Sequence, residues 1–294
     1  MIAILGAGSL GRLWAAKLPA GRVAFVPRPE QSAASLRYRF RPVQGPEIPV
    51  QIPWLNSHQS PSLLLVTTKA GDTVAALQSV VPRLPETTPI VLFQNGLGSQ
   101  QDVAQSWPNR PILAATTTEG ANRPKPELTL HAGQGETWIG ALTPAGETCL
   151  NEAVSRLAET GLCVNATPDI LDRLWQKLVI NAGINPFTAI LNCPNGEILN
   201  QPFYQQWIDP LCHEISKLLT ASGQPSRSAA TLREAIESVA CSTAANTSSM
   251  RADRLAGRTT EINFINGYLA RAGTELGIDT PVNQMLTDQV EQLK

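Results

Sequence analysis

Ile2-Ala3-Ile4-Leu5 runs straight into Gly6-Ala7-Gly8-Ser9-Leu10-Gly11, and this junction limits what the chain can fold into more than any other feature. The first four residues are apolar and uncharged, as in a buried strand. Leu10, Leu13, Trp14 and Leu18 then recur at helical spacing. The pattern is strand, glycine turn, helix. In a dinucleotide fold the first glycine permits a tight turn, the second lets a pyrophosphate approach the backbone, and the third lets helix and strand pack closely. Main-chain N–H groups at the helix start hold the phosphates. An isolated glycine triad is also found in ordinary turns. Its place at the first strand of a long chain is where a cofactor site is expected.

The next apolar run, Val23-Ala24-Phe25-Val26, reads as the second strand. An NAD site usually ends this strand with an acid that bonds the ribose 2′-hydroxyl. Here the chain continues Pro27-Arg28-Pro29. The acid is missing, and Arg28 is suited to a 2′-phosphate through charge-assisted bonds. This favours NADP (NADPH), while Glu30 keeps NAD open.

Length and patterning give two domains. The 294 residues suffice for both. Leu63–Val66, Ile90–Phe93 and Ile112–Ala115 read as buried parallel strands. Leu128–His131 and Thr137–Gly140 flank a glycine-containing turn and predict an antiparallel hairpin, and Leu162-Cys163-Val164 a last strand. The proline-rich segment Pro42–Pro53 reads as loop or short edge strand. Thr167-Pro168-Asp169 looks like a helix cap with proline at the first helical position. Beyond it, Asn200–Ser222, Ala229–Ala245, Glu261–Leu276 and Pro281–Leu293 carry only helical periodicity. The expectation is an α/β Rossmann-type domain over 1–166, followed by an all-α domain over 167–294.

The remaining composition excludes several classes. Twenty-three basic and 24 acidic residues leave the chain near neutrality, which does not favour nucleic acid or a membrane surface. Five cysteines are odd in number and scattered, so a cytoplasmic setting is expected rather than a disulfide framework. Three histidines show no metal spacing. No signal-like segment and no long apolar run is present.

One helix groups polar residues on an otherwise apolar background. In the stretch from Arg173 to Pro186, Lys177, Asn181 and Asn185 stack at i, i+4 and i+8. Leu174, Leu178 and Val179 lie on another face. Such a polar stripe is either solvated surface or the lining of a polar pocket. Lys69 follows a core strand at its carboxyl end, where ligands bind. Gln94-Asn95-Gly96-Leu97-Gly98 follows the next strand in the same way. Asn246-Thr247-Ser248-Ser249-Met250 groups short polar side chains between helices. Turn and cap chemistry accounts equally well for these segments taken singly.

Taken together they resemble the ketopantoate reductase (2-dehydropantoate 2-reductase) family, of the 6-phosphogluconate-dehydrogenase-like class. The matching segments are Gly6–Gly11, Thr68-Lys69-Ala70, Gln94–Gly98, Thr116-Thr117-Thr118, Lys177 to Asn185-Pro186, Asn192-Cys193-Pro194-Asn195-Gly196-Glu197, Asn246–Met250, Thr260-Glu261-Ile262 and Ile265-Asn266-Gly267. They keep family order over nearly the whole chain. The lysine–asparagine helix with the following Asn-Cys-Pro-Asn-Gly is the specific part. Glu119-Gly120, after the threonine run, departs from the family pattern.

The resemblance implies NADPH-dependent reduction of ketopantoate to pantoate, on the route to pantothenate and coenzyme A. It implies Lys177 as general acid, with Glu261 beside it and the cofactor. Gly6, Ala7, Gly8, Ser9, Leu10 and Gly11 would hold the cofactor, with Arg28 and Lys69 near its adenosine phosphate and Ala121 along it. Asn95 would touch nicotinamide and substrate, and Asn181, Asn185, Asn195 and Ser249 would bind substrate. A monomer or homodimer is expected. The alternatives are a related NADP-dependent 2-oxoacid or 3-hydroxyacid dehydrogenase and, from another class, a non-catalytic NADP-binding sensor, which would not need the lysine.

Overall fold

The computed structural model describes residues 1–28 and 34–293, and Pro29 and Glu30, read above for cofactor choice, lie outside the described residues. The chain forms two compact units, Met1–Gln94 with Ser99–Ile170, and Asn95–Gly98 with Leu171–Lys294.

The first unit runs β1 (Ile2–Leu5), α1 (Ser9–Lys17), β2 (Val23–Phe25), β3 (Ser35–Arg41), β4 (Ile48–Pro53), β5 (Leu63–Val66), α2 (Thr73–Val80), β6 (Ile90–Leu92) and α3 (Ser99–Ser106). It continues with β7 (Ile112–Thr117), β8 (Gly120–Lys125), β9 (Leu128–Gly133), β10 (Glu136–Ala141), α4 (Pro144–Ala158) and β11 (Cys163–Ala166). Seven strands form one sheet in the order β11-β10-β7-β6-β5-β1-β2. Strands β2, β1, β5, β6 and β7 are parallel, and β10 joins antiparallel to β7. Every residue of β1, β5 and β6 is buried. That is why these strands read as unbroken apolar runs: both faces are covered. The neighbours of β1 are β2 and β5, so strand order reverses at the strand that carries the glycine turn. Ligands of open α/β sheets bind at such switch points.

A second sheet, β4-β3-β9-β8, completes this unit. Strand β3 has no counterpart among the strands expected above, although its signal is present: Tyr38 and Phe40 are buried, while Arg37, Arg39 and Arg41 are exposed. That is period-two alternation on a one-sided sheet. Strand β8 is likewise additional. The segment Pro42–Pro53 ends in β4, an edge strand, where Pro49 and Pro53 are tolerated.

The expected hairpin between Leu128–His131 and Thr137–Gly140 does not form. Strand β9 pairs with β8 and β3, whereas β10 pairs with β7 and β11. The glycine link carries the chain from one sheet to the other. Gly135 sits so close to Thr118 that a Cβ would lie 2.4 Å from its carbonyl carbon. Thr118 N–H donates to Glu136 O at 2.9 Å, and the Thr137 hydroxyl donates to that of Thr117 at 2.8 Å. Proximity in sequence thus lost to pairing with β7. The departure at Glu119 also has a partner: its carboxylate meets His131 Nε2, both side chains buried.

The helical part comprises α5 (Ile170–Leu191), α6 (Pro202–Ala221), α7 (Ala229–Ser242), α8 (Ser249–Leu255), α9 (Asn266–Leu276) and α10 (Pro281–Gln292). No strand follows β11 among the described residues. The Thr167 hydroxyl accepts the N–H of Asp169, so the predicted cap is a turn and α5 starts at Ile170. The helix expected over Glu261–Leu276 is divided. A 3₁₀ turn spans Ile262–Phe264, and α9 starts at Asn266. Helix α6 buries Tyr204, Ile208, Leu211, Ile215 and Leu218, one stripe of its surface. Gly183 on α5 leaves room for Ile236 of α7: a Cβ there would lie 2.6 Å from Ile236 Cδ1. No helix among the described residues is long and apolar enough to cross a membrane.

Candidate active site

In the first unit the glycines of the β1–α1 turn do different jobs. Gly6 has φ +112°, and a Cβ there would lie 2.8 Å from the Thr67 carbonyl carbon. A Cβ on Gly11 would lie 2.1 Å from Gly6 O. These two are required by the protein's own packing. A Cβ on Gly8 would meet nothing within 4 Å, so this glycine opens toward solvent space and leaves the backbone approachable. Helix α1 has no side-chain cap and no acid in its first turn. Its first main-chain donors therefore suit an anion, and the turn fits a pyrophosphate.

Side chains outside the glycine motif hold this turn. The Thr67 hydroxyl donates to Gly6 O at 2.7 Å. Arg12 donates from Nε to Ala7 O at 3.0 Å, lies over the Tyr38 ring, and is buried. Burial and the nearby Arg123 lower its affinity for protons. The pairing of β1 with β5, which no local spacing reveals, is what sets Thr67 against the glycine turn. Lys69 follows in the same loop, whose backbone is tied down by Gln94 Nε2 donating to Val66 O at 3.0 Å and Thr68 O at 3.2 Å. Arg28 is exposed just beyond β2. Ala121 lies on β8 opposite His131 and packs on the core.

In the second unit α5 contains Lys177, Asn181 and Asn185 on one stripe, backed by buried Leu174, Leu178 and Val179. The stripe is not a solvated face. Asn185 is buried, and Lys177 and Asn181 are half-buried. Among the described residues neither asparagine amide has a side-chain hydrogen bond. Burial pushes Lys177 down from the ordinary lysine range to about 8, and the negative charge of Glu261 opposes this. Desolvation is the larger of the two effects, so the ammonium is a stronger acid than a surface lysine.

Glu261 accepts a hydrogen bond from Asn95 Nδ2 at 3.3 Å. Asn95 comes from a distant part of the sequence, and Gly96 is the reason it can reach. Gly96 has φ +80°, and a Cβ there would lie 2.0 Å from Phe264 O. Leu97 N–H donates to Phe264 O at 2.8 Å. The Asn-Gly pair is thus a docking turn against the 3₁₀ segment that follows Glu261. Lys177, Glu261 and Asn95 are brought together by these contacts.

Asn195 and Ser249 stand differently. Asn195 is buried and its Nδ2 donates to Thr243 Oγ1 at 2.9 Å, while its Oδ1 has no hydrogen-bond partner among the described residues. Ser249 is the exposed first residue of α8. Its neighbour Ser248 is buried, caps α8 by accepting Arg251 N–H, and meets Thr188 Oγ1 of α5 at 2.6 Å. The sequence presents Ser248 only as one member of a polar cluster and gives no sign of Thr188, because the signal is a contact between remote helices.

Residues 2–144 match the family described as ketopantoate reductase PanE/ApbA, and residues 169–294 match ketopantoate reductase PanE/ApbA C terminal. The 2-dehydropantoate 2-reductase of Vibrio cholerae serotype O1 is 35% identical over 298 residues, covering 100% of this chain and 97% of that protein. The crystal structure of 2-dehydropantoate 2-reductase from Geobacter metallireducens GS-15 has a TM-score of 0.85 at 25% identity, covering 100% of this chain and 99% of that one. D-mandelate dehydrogenase with NADH and anilino(oxo)acetate has a TM-score of 0.86 at 22% identity, over 99% and 96% of the two chains, a likeness of fold.

Proposed function

This chain belongs to the ketopantoate reductase family, and from that premise we propose that it reduces ketopantoate to pantoate with NADPH as reductant. The observation that carries the reading is Lys177. It is a half-buried lysine whose acidity is raised by burial, it faces Glu261, and it shares a helix stripe with two amides that have no side-chain hydrogen bond among the described residues. A sensor that only bound a nucleotide would have no use for it.

When bound, the reduced nicotinamide supplies a hydride to the C2 carbonyl of the substrate. The charge that develops on the carbonyl oxygen needs a donor within hydrogen-bond reach. Lys177 Nζ stabilises that oxygen and delivers the proton, a contribution typically of about 10²–10⁴-fold. Glu261 keeps the lysine charged against its burial and orients Asn95 through their hydrogen bond. Asn181 and Asn185 offer neutral donors and acceptors to the substrate without competing for the proton. In this reading Asn185 takes the terminal hydroxyl. Asn195 and Ser249 complete the substrate contacts, Ser249 on the carboxylate.

For the cofactor, Gly6 to Gly11 hold the pyrophosphate, with Ala7, Ser9 and Leu10 in the same turn. Arg28 and Lys69 would hold the 2′-phosphate and the adenosine side, Ala121 would contact the cofactor, and Asn95 and Glu261 would contact the nicotinamide, which would supply the hydride. The exposed guanidinium after β2, where an NAD site would carry an acid, supports NADPH. The test is the loss of NADPH absorbance on adding ketopantoate, run beside NADH and beside other 2-oxo acids. Turnover with ketopantoate and NADPH at the highest kcat/KM supports the assignment. Preference for another 2-oxo acid would replace the substrate and leave the scaffold.

A further inference from the structure

Helix α5 has a proline in its interior, Pro186. Proline has no N–H, so the carbonyl four residues earlier loses its helical donor. That carbonyl belongs to Ala182, which is fully buried and lies between Asn181 and Asn185. A buried main-chain oxygen needs a partner. Asn266, the first residue of α9, provides one: its Nδ2 donates to Ala182 O at 3.3 Å.

The direction of this amide is dictated from further away. Glu214 of α6 accepts the N–H groups of Val282 and Asn283 at the start of α10, at 2.7 and 3.0 Å. It also accepts Asn283 Nδ2 at 2.7 Å. Facing three donors, Glu214 acts as an acceptor only. Asn283 must therefore turn its NH₂ to Glu214 and its oxygen to Asn266. Asn266 Nδ2 donates to that oxygen at 3.1 Å, with its second hydrogen left for Ala182 O. Both asparagines are fully buried. Asn266 Oδ1 has no hydrogen-bond partner among the described residues, so the side chain is aimed by what its nitrogen serves.

We propose that Asn266 is a positioning residue for the reaction: it replaces the hydrogen bond that Pro186 removes, and so holds the Lys177–Asn181–Asn185 stripe of α5 in register. The inference rests on the reading of that stripe as the substrate site. Asn283 and Glu214 set the polarity of the chain that ends at Ala182. Helix α5 thus carries Pro186 next to Asn185 while the Ala182 carbonyl keeps a partner.

The test is a backbone rescue. Asn266→Ala removes the donor. It should lower kcat/KM for ketopantoate by about tenfold or more and lower Tm, with KM for NADPH nearly unchanged. Pro186→Ala puts an N–H back four residues after Ala182. The double variant Asn266→Ala/Pro186→Ala should recover most of the lost kcat/KM and only part of the lost Tm, because Asn283 Oδ1 still lacks the donor it had in Asn266. A residue that merely fills space would not be rescued by a main-chain donor on another helix. A double variant no better than Asn266→Ala would overturn the proposal. If Asn266→Ala does not fold, a folded double variant supports the proposal and an unfolded one overturns it. Lys177→Ala, assayed in parallel, separates the two claims. Full activity there removes the general acid, while the rescue of kcat/KM by Pro186→Ala still decides the role of Asn266.

Discussion

The glycine turn after β1 and the polar stripe of α5 are the two proposed sites, and they are made of different things. The turn is made of backbone: Gly6 and Gly11 leave no room for a Cβ, and Gly8 leaves room for a ligand. The stripe is made of side chains whose properties come from remote partners. Lys177 depends on burial and on Glu261, Asn95 reaches Glu261 through a turn docked on Phe264 O, and Ala182 O depends on Asn266. A backbone site is defined by a few consecutive residues. A side-chain site is defined by the fold around it.

Mutations should separate the two regions. The largest effect is expected at Lys177: its alanine variant should lose about 10²–10⁴-fold in kcat, with NADPH affinity within a few-fold of the parent. An equal loss of NADPH binding would break the division of labour. Within the turn, Gly11→Ala should cost about 1–3 kcal/mol of stability, as overpacking does, and so lower Tm, and it should also weaken NADPH binding. Gly8→Ala should weaken NADPH binding while Tm stays put, because its Cβ meets no protein atom within 4 Å. Calorimetry with and without NADPH checks both. A fall in Tm for apo Gly8→Ala would mean that this glycine, too, serves packing.

Smaller effects sharpen the substrate side. Asn185→Ala should raise KM for ketopantoate by the cost of an unpaired polar group, about 1–3 kcal/mol, and leave KM for NADPH alone. An analogue lacking the terminal hydroxyl should already be poor with the parent and little worse with the variant. Equal losses for both substrates would leave Asn185 a structural residue. At the edge of the cofactor site, Arg28→Ala should weaken NADPH about tenfold and NADH hardly at all. Equal kcat/KM for the two cofactors in the parent would remove Arg28 from this role.

The same contrast governs what the sequence disclosed. The glycine turn, the buried parallel strands and the lysine–asparagine stripe were legible because each rests on local spacing. Strand β3 carries only a weak local signal, the alternation of Tyr38 and Phe40 with arginines, because a one-sided sheet leaves every second residue charged. The hairpin expected between β9 and β10 failed because a glycine link has the same composition whether it joins partners or separates sheets. Thr67, Arg12, Ser248 and the Glu214–Asn283–Asn266 chain act across long sequence separations. No spacing rule connects them. Asn266 was visible only as part of a motif, and its work appears once Ala182 and Pro186 are seen together.

The most direct test of the account is the pH dependence of ketopantoate reduction. Only the ammonium form of Lys177 can give a proton, and burial holds it down to about 8. In the parent, kcat/KM should be level below this value and fall about tenfold per pH unit above it. Glu261 raises Lys177's affinity for its proton, so Glu261→Gln should move the inflection to lower pH. A profile that stays level to pH 10, or an inflection that does not move in Glu261→Gln, would contradict Lys177 as the general acid held charged by Glu261.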